Sequence, residues 1–186
     1  MDSYFLAVTP PEDICSKIDV YRKKFSKFSS YQVAPHITIY PPFVLDSITE
    51  SELRARLEES LRNMPSATVT TDSVGYFDNG SAQNAVFFKP DDVSTAYLTQ
   101  LFAYTSKLLQ DTTKGKYSEY RSETVFNPHM TIASHIPDAS FEEIKERTRG
   151  INELFTFEAK TLDLYKQEGA SGVWTKEKEI LLGKTL

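Results

Sequence analysis

Two five-residue segments of the chain carry the same arrangement of histidine and threonine. They are residues 35–39 (PHITI) and 128–132 (PHMTI), and they contain two of the three histidines in the 186-residue sequence. Successive side chains of an extended strand point to opposite faces, so each segment would present its polar pair on one face and apolar side chains on the other. The polar pairs are His36 with Thr38 and His129 with Thr131.

Two such pairs, if they face each other, suit acid–base chemistry at a phosphate. An unperturbed imidazole titrates near pH ~6.5, so at neutral pH one of His36 and His129 can accept a proton while the other donates one. The hydroxyls of Thr38 and Thr131 can donate hydrogen bonds to phosphoryl oxygens, whose negative charge grows in the transition state. In-line displacement at a phosphodiester then needs neither a metal ion nor a covalent nucleophile. The sequence does not say which histidine is the acid, because the two segments are equivalent.

Other residues near the segments carry a weaker signal. Tyr40 follows on the strand face of the first polar pair and Tyr165 ends a predicted strand, so either ring could stack on a nucleobase; packing in the core or at its rim is the alternative. His135 lies about 20 Å along the strand from His129 and is given no role. The long polar segment 111–124 could close over a site or be an ordinary mobile loop.

The basic residues do not indicate a general nucleic-acid surface. Residues 22–24 (RKK) fall mostly off the apolar stripe of a predicted helix, which indicates a solvent-exposed face. Lys116, Arg121 and Lys166 are candidate phosphate contacts, with exposed surface as the alternative. A net charge of −5 and a pI near 5.3 argue against a general nucleic-acid binder, although one local phosphate site is compatible with them.

The elements that would position the two polar pairs repeat in the order β-α-β-α-β. Thr49 with Glu52 and Ser140 with Glu143 match the S/T-x-x-E capping box, and Asp92 can cap another helix. Residues 41 and 42, both proline, predict the end of the first motif strand. The predicted strands are 4–8, 33–40, 67–77, 84–89, 125–134, 154–165 and 173–182.

The repeat predicts one two-lobed domain over residues 1–186, with halves of about 1–80 and 81–186. Two copies of one unit commonly pack about an approximate twofold axis, which would bring both polar pairs into one cleft. The 40% hydrophobic content suits a single packed core. The single cysteine, Cys15, excludes an intramolecular disulfide and a multi-cysteine zinc site. No apolar stretch approaches the ~20 residues that span a bilayer, so we expect no membrane association and a cytoplasmic location.

The paired His-x-Thr-apolar motifs in this repeat resemble those of the two-histidine (2H) phosphoesterase superfamily, the 2′-5′ RNA ligase-like and cyclic phosphodiesterase proteins. The likeness covers nearly the whole chain in element order. It includes a C-terminal stretch with Leu162, Leu164, Tyr165, Gly169 and Trp174. A single His-x-Thr is a weak signal, whereas two copies at this spacing and in this order are specific.

The resemblance implies a bilobal α+β fold, in which duplicated β-α-β-α-β units place antiparallel sheets around a central cleft. It also implies hydrolysis, or reversible ligation, at 2′,3′-cyclic or 2′-5′ phosphodiesters, with no metal and no other cofactor. By motif match, His36 and His129 would be the catalytic pair and Thr38 and Thr131 the phosphate-binding pair. The expected partner is a small nucleotide or an RNA terminus, bound by a monomer without an extended nucleic-acid surface, and the expected role is in RNA processing.

Two other function classes are compatible with the motifs. A binding protein on the same fold could hold a nucleotide or an RNA end and turn nothing over. A metallohydrolase could use His36, His129 and acidic residues, but neither segment contains a carboxylate, which divalent metal sites normally recruit.

Overall fold

The computed structural model describes residues 1–28, 33–115, 126–170 and 172–183. These residues form helices and strands that alternate through most of the chain. The helices are α1 (Glu12–Lys24), α2 (Glu50–Leu61), α3 (Asp92–Leu109) and α4 (Asp138–Thr148). The strands are β1 (Ser3–Val8), β2 (Ile37–Leu45), β3 (Ala67–Phe77), β4 (Asn84–Pro90), β5 (Thr113–Gly115), β6 (Met130–Ile136), β7 (Phe155–Ala159), β8 (Thr161–Gln167) and β9 (Trp174–Leu181).

The strands form one antiparallel sheet in the order β7-β3-β4-β6-β2-β1-β8-β9, with β5 paired to β2. The order is symmetric about the β6–β2 junction. We call β2, β1, β8 and β9 the first lobe, and β6, β4, β3 and β7 the second lobe. The predicted antiparallel α+β architecture is confirmed, but the lobes do not coincide with the predicted halves 1–80 and 81–186, because β3 lies in the second lobe and β8 and β9 lie in the first.

The chain returns from the second lobe to the first at Lys160. The sequence predicts one strand over 154–165, and this prediction is wrong, since the structure has β7 and β8 on either side of Lys160. β7 pairs with β3 in the second lobe, and β8 pairs with β1 in the first. Extended, half-apolar sequence continues across the crossover, so periodicity alone does not reveal it.

Strand β2 runs further than the sequence predicts. It continues to Leu45 through residues 41 and 42, the two prolines expected to end it. Its register against β1 is irregular between the partners of Tyr4 and Leu6, where the two prolines lie. A bulge is one of the few places in a sheet where proline fits, because the ladder hydrogen bonds are already interrupted there.

A second irregularity in β2 turns Tyr40 into the core. The register with β1 slips between Leu6 and Ala7, which leaves Ile39 as an extra residue on β2. Ile39 and Tyr40 are therefore both buried, and the Tyr40 hydroxyl lies 3.3 Å from Thr113 Oγ1. The expectation that Tyr40 shares the face of the first polar pair is wrong, and its ring packs in the core.

The helices cover one face of the sheet. α1 packs near β6, α3 against β2 and β3, α2 against β9, and α4 against β4. The core between them includes Leu6, Ile18, Ile37, Leu57, Val86, Leu101, Met130, Ile144 and Leu164. The opposite face of the sheet, which carries the two polar pairs, is called the open face below.

Helix starts follow the capping rules with two shifts. The Thr49–Glu52 capping box of α2 is present as predicted. The cap of α3 is Asp91 rather than Asp92, and its carboxylate accepts a hydrogen bond from the Ser94 amide. The capping box expected at Ser140 is wrong, because α4 begins at Asp138 and its N-cap position is Pro137.

Truncation of a core side chain should test the packing of α3 on the sheet. Leu101 is fully buried, so we expect Leu101→Ala to lower the free energy of unfolding by about 2–5 kcal/mol through lost contacts and an unfilled cavity. The matched control is Val93→Ala on the same helix, where the side chain is 78% exposed and the change should stay within about 0.5 kcal/mol. Urea denaturation measures both. Equal effects of the two substitutions would contradict this packing.

Candidate active site

The two motifs meet where the lobes join. Within the described chain, β2 and β6 pair at one position, Ile37 opposite Met130, and both side chains are fully buried on the helix side. In antiparallel pairing the neighbours of an opposed pair are themselves opposed, so the motif side chains on the open face lie side by side. The resulting pairs are His36 beside Thr131 and Thr38 beside His129.

The two histidines are diagonal neighbours in this arrangement. Diagonal neighbours across an antiparallel pair are within reach of long and aromatic side chains. His36 and His129 are near enough that the charge of one lowers the pKa of the other. Both rings, and the side chains of Thr38 and Thr131, are partly buried and partly accessible. The structure thus brings all four predicted motif residues to one spot.

Each imidazole is oriented by an equivalent hydrogen bond. The Nδ1 atom of His36 lies 2.8 Å from the carbonyl oxygen of Ala34, and the Nδ1 atom of His129 lies 2.8 Å from the carbonyl oxygen of Asn127. A carbonyl oxygen only accepts, so the proton of each neutral ring is on Nδ1. The Nε2 atom therefore carries a lone pair in the neutral ring and a proton in the charged ring. It is the atom that each histidine can offer to a ligand.

Aromatic rings from the neighbouring strands surround the imidazole of His36. The ring of Phe5 on β1 lies 5.2 Å from it between centroids, and that of Tyr165 on β8 lies 6.0 Å away. Tyr165 is only 3% exposed, stacks on Phe5 at 4.6 Å, and has its hydroxyl 3.0 Å from Thr9 Oγ1. The predicted candidate Tyr165 is thus part of the wall around His36, with one face of its ring covered by Phe5.

The second lobe surrounds His129 in the same manner. Phe77 on β3 lies 4.9 Å from its imidazole and Phe87 on β4 lies 5.2 Å away. Gly75 makes this possible, because a Cβ atom at that position would overlap the ring of Phe87. Each histidine therefore lies against a pair of contacting aromatic rings, one from the adjacent strand and one from the strand beyond it.

These surroundings lower the pKa of both imidazoles. Burial lowers the pKa of His36 to about 4, and the charge of Arg22 and the proximity of His129 act in the same direction, against the Ala34 carbonyl. Burial also lowers the pKa of His129, opposed by the Asn127 carbonyl. The expectation of one neutral and one protonated ring at neutral pH stays a prediction, and it requires another charge to offset the effect of burial on one of the two rings. A phosphate anion between the rings would raise both pKa values and supply such a charge.

The other basic candidates lie elsewhere. Lys166 is on the helix side of the sheet, where its ammonium group lies 2.9 Å from Glu50 and 3.4 Å from Asp2. Lys116 and Arg121 lie outside the described residues, as does most of the predicted loop 111–124, whose first residues form β5. Lys166 is thus paired with carboxylates on the helix side of the sheet. Whether segment 111–124 closes over the site stays a prediction.

Sequence reasoning missed several residues that shape the site. Arg22 is 4% exposed rather than solvent-exposed as expected, because it continues the buried stripe of Ile14 and Ile18 at helical spacing. That spacing was a usable signal. A glycine inside a strand, such as Gly75, likewise indicates a close approach of another group. The part played by Phe87 depends on cross-strand register, which the sequence does not show.

The described residues show neither a candidate metal site nor a candidate membrane-spanning helix. In the described ranges, no three or more His, Cys, Asp or Glu side chains are grouped so that they could hold a metal ion. The helices of that same part of the chain include none with the length and apolar character to cross a membrane.

The chain matches one known protein family over most of its length. The model of the 2′-5′ RNA ligase superfamily matches residues 10–171, which include both motifs. The chain belongs to this superfamily. Its predicted resemblance to the two-histidine phosphoesterases is thereby confirmed at the level of the family.

Individual superfamily relatives agree with this assignment. A Staphylococcus epidermidis protein provisionally named a phosphoesterase is 26% identical over 180 residues, which cover 96% of this chain and 98% of that protein. A similarly named Staphylococcus aureus protein is 31% identical over 144 residues, or 75% of each chain. The crystal structure of Escherichia coli LigT with 3′-AMP has a TM-score of 0.68 at 21% identity, covering 97% of this chain and 98% of LigT. The predicted fold is thus shared with a solved structure.

The lowered histidine pKa values should appear in the stability of the protein. An unfolded histidine takes up a proton near pH ~6.5, whereas folded His36 does so only at about pH 4. Stability should therefore fall as the pH drops from ~6.5 towards about 4, and His36→Gln should reduce that slope. Urea denaturation at a series of pH values measures it. Between pH ~7.5 and ~8.5 the free energies of unfolding of the wild type and His36→Gln should change with pH in the same way. An unchanged slope at lower pH in the variant would contradict the pKa shift.

Proposed function

We propose that the protein is a metal-independent phosphodiesterase that hydrolyses 2′,3′-cyclic phosphates or 2′-5′ phosphodiester linkages of RNA ends or small nucleotides. The observation that carries this proposal is the pair of histidines at the lobe junction, both with Nδ1 bound to a carbonyl and Nε2 left for a ligand. Membership of the superfamily supports it. Crystal structures of LigT with 3′-AMP and with ATP also support a nucleotide as the ligand class.

We assign the base to His36 and the acid to His129. The charge of Arg22 lowers the pKa of His36, beyond the effect of burial that both rings share, so His36 is the ring we assign to accept a proton. Its Nε2 removes a proton from water as the water oxygen bonds to phosphorus. The bond from phosphorus to one ribose oxygen breaks, and Nε2–H of His129, charged once the phosphate is bound, protonates that oxygen. Proton exchange with solvent then resets both rings.

The two threonines are proposed to bind the non-bridging phosphate oxygens. Each hydroxyl lies on the open face beside the histidine of the other motif, as the register of Ile37 and Met130 requires. Within the described ranges, neither Thr38 nor Thr131 uses its hydroxyl in a hydrogen bond to another residue. Both are therefore available as donors, from opposite sides, to oxygens whose charge grows in the transition state.

A nucleoside beside the phosphate would contact the aromatic walls of the site. Phe77 and Trp174 are the partly exposed rings of the two walls, and Trp174 meets Phe5 edge-on at 4.8 Å between centroids. Such rings can stack on a base of any identity. A cytoplasmic location, a monomeric state and a role in RNA processing stay predictions from the sequence.

A nucleotide-binding or RNA-end-binding protein without turnover is the second candidate. The observation that favours it is that burial lowers the pKa of both imidazoles, which disfavours the protonated ring that a general acid requires. Such a site would hold a phosphate through the threonines and still lack an acid if the anion did not recharge His129. Product formation separates the two candidates.

Replacement of either histidine should abolish most of the activity. We expect His36→Gln and His129→Gln each to lower kcat by at least ~10², the usual effect of losing a general base or acid. His135→Gln is the matched control, since His135 is exposed at the end of β6, and it should keep wild-type activity. Hydrolysis of 2′,3′-cyclic nucleotides is measured at pH 7 after a circular dichroism check of folding. Wild-type turnover by either motif variant would contradict the mechanism.

The substrate class and the metal independence can be tested together. A panel of 2′,3′-cyclic nucleotides, 2′-5′ dinucleotides and 3′-5′ dinucleotides should give products only from the first two groups. Activity should be undiminished in excess EDTA, because the acid, the base and the phosphate donors are all protein side chains. Product analysis by chromatography measures both. Tight binding without product would favour the binding protein, and loss of activity that added divalent metal restores would favour a metallohydrolase.

A further inference from the structure

Arg22 is a buried arginine that connects helix α1 to both motifs. Its Nε donates a hydrogen bond to the carbonyl oxygen of Thr131 at 3.1 Å, and its Nη1 donates to the carbonyl oxygen of Val33 at 2.9 Å. The side chain is 4% exposed, and Asp19 on the exposed side of α1 approaches Nη1 to 3.6 Å. A guanidinium group is planar and rigid, so two bonds from one group fix the distance between their acceptors.

The two acceptors lie on different lobes of the site. Thr131 is the threonine of the second motif, on β6, and Val33 precedes His36 by three residues on the approach to β2. In the described chain, the ladder between the two motif strands, β2 and β6, consists of one opposed pair, so backbone pairing fixes the two motifs to each other at a single position. The Arg22 hydrogen bonds add a second point of attachment close to the same place.

The position on α3 that is equivalent to Arg22 on α1 is occupied by a different kind of side chain. Phe102 lies as far from the start of α3 as Arg22 does from the start of α1, and Phe126 precedes His129 by three residues as Val33 precedes His36. Phe102 stacks on Phe126 with centroids 4.4 Å apart and planes 1° from parallel. Both helices thus anchor the segment before a motif, but Arg22 also bonds to the motif of the other lobe.

We propose that Arg22 is a positioning residue that sets the spacing and orientation of His36 relative to His129. The proposal rests on the proposed function of the two histidines as base and acid. A phosphate bridged by two imidazoles tolerates little change in their separation, and a misplacement of about 1 Å can cost on the order of 10² in rate. Arg22 does not reach the reacting atoms; it acts through the backbone of both motifs.

A purely structural role for Arg22 is the competing explanation, since buried arginines also anchor helices. The two explanations differ in how the loss of Arg22 combines with the loss of a histidine. If Arg22 only aligns the pair, its removal should matter little once His129 is absent. If Arg22 only stabilises the fold, its effect should be the same in the presence and absence of His129.

The first experiment is a double-mutant cycle on kcat for a 2′,3′-cyclic nucleotide. Arg22→Met and Arg22→Lys should each lower kcat by about 10–100-fold, because neither side chain can bond two carbonyls in the fixed fork. In a His129→Gln background, Arg22→Met should lower kcat by less than ~2-fold relative to His129→Gln alone. Lys23→Met, which removes an exposed charge one residue along α1, is the control and should match the wild type.

The second experiment does not depend on turnover. Inorganic phosphate is titrated into the protein while NMR follows the ring signals of His36 and His129. In the wild type both signals should shift together with one dissociation constant. In Arg22→Met the affinity should fall by about 10-fold and the two signals should no longer move together. If the protein bound phosphate but turned over no nucleotide, that result would contradict the proposed enzymatic function. The phosphate titration of Arg22→Met would still test whether Arg22 positions the two histidines.

An NMR pH titration of the unliganded variant gives a third readout. The groups that face His36 are Arg22 from α1, His129 from the second lobe and Tyr165 from β8. Removal of the Arg22 charge should raise the pKa of His36 above its wild-type value, whereas a loss of fold stability alone would leave it in place. Arg22→Gln, which also removes the charge, replaces Arg22→Met if the latter does not fold. Two results would overturn the proposal. One is a wild-type kcat in a folded Arg22→Met variant. The other is that Arg22→Met lowers kcat by the same factor in the His129→Gln background as in the wild type.

Discussion

The site depends on a single backbone contact, the antiparallel pairing of Ile37 with Met130 at the start of two strands. Because β2 and β6 begin there and run apart, the contact joins the lobes without fusing them into a regular ladder. The buried side chains of this pair hold the junction against the helices. The residue on either side of each then faces the opposite way, which is why both imidazoles and both threonines appear on the open face. One register choice thus assembles four side chains from sequence positions about ninety residues apart.

The two halves of the site are alike in plan but not in composition. Each imidazole has its Nδ1 bound to the carbonyl two residues earlier, and each lies against a pair of contacting aromatic rings. The first lobe builds its wall from Phe5 and Tyr165, whereas the second uses Phe77 and Phe87 over Gly75. Such differences give two histidines of equal sequence context unequal surroundings. Equivalent motifs can then take the different roles that acid and base require.

How far the sequence predicts this structure depends on the range of the interaction concerned. The duplicated motif, the alternation of His36 with Ile37 and the Thr49 capping box are local patterns, and each has the predicted geometry. The bulge that buries Tyr40 and the crossover at Lys160 depend on which strand lies alongside, and no local pattern reports that. The pKa of His36 was also beyond sequence reasoning, because it depends on rings from β1 and β8. Arg22 stands between these cases: it was predicted to be exposed, although its spacing from Ile14 and Ile18 fits burial, and its bonding partners depend on the fold.

The lowered pKa of both imidazoles has a thermodynamic consequence. An anion that bound beside them and recharged one ring would draw a proton from solvent, so its binding and the proton uptake would be one linked equilibrium. The affinity for such an anion would then decline as the solution became more alkaline, and the heat of binding would vary with the ionisation enthalpy of the buffer.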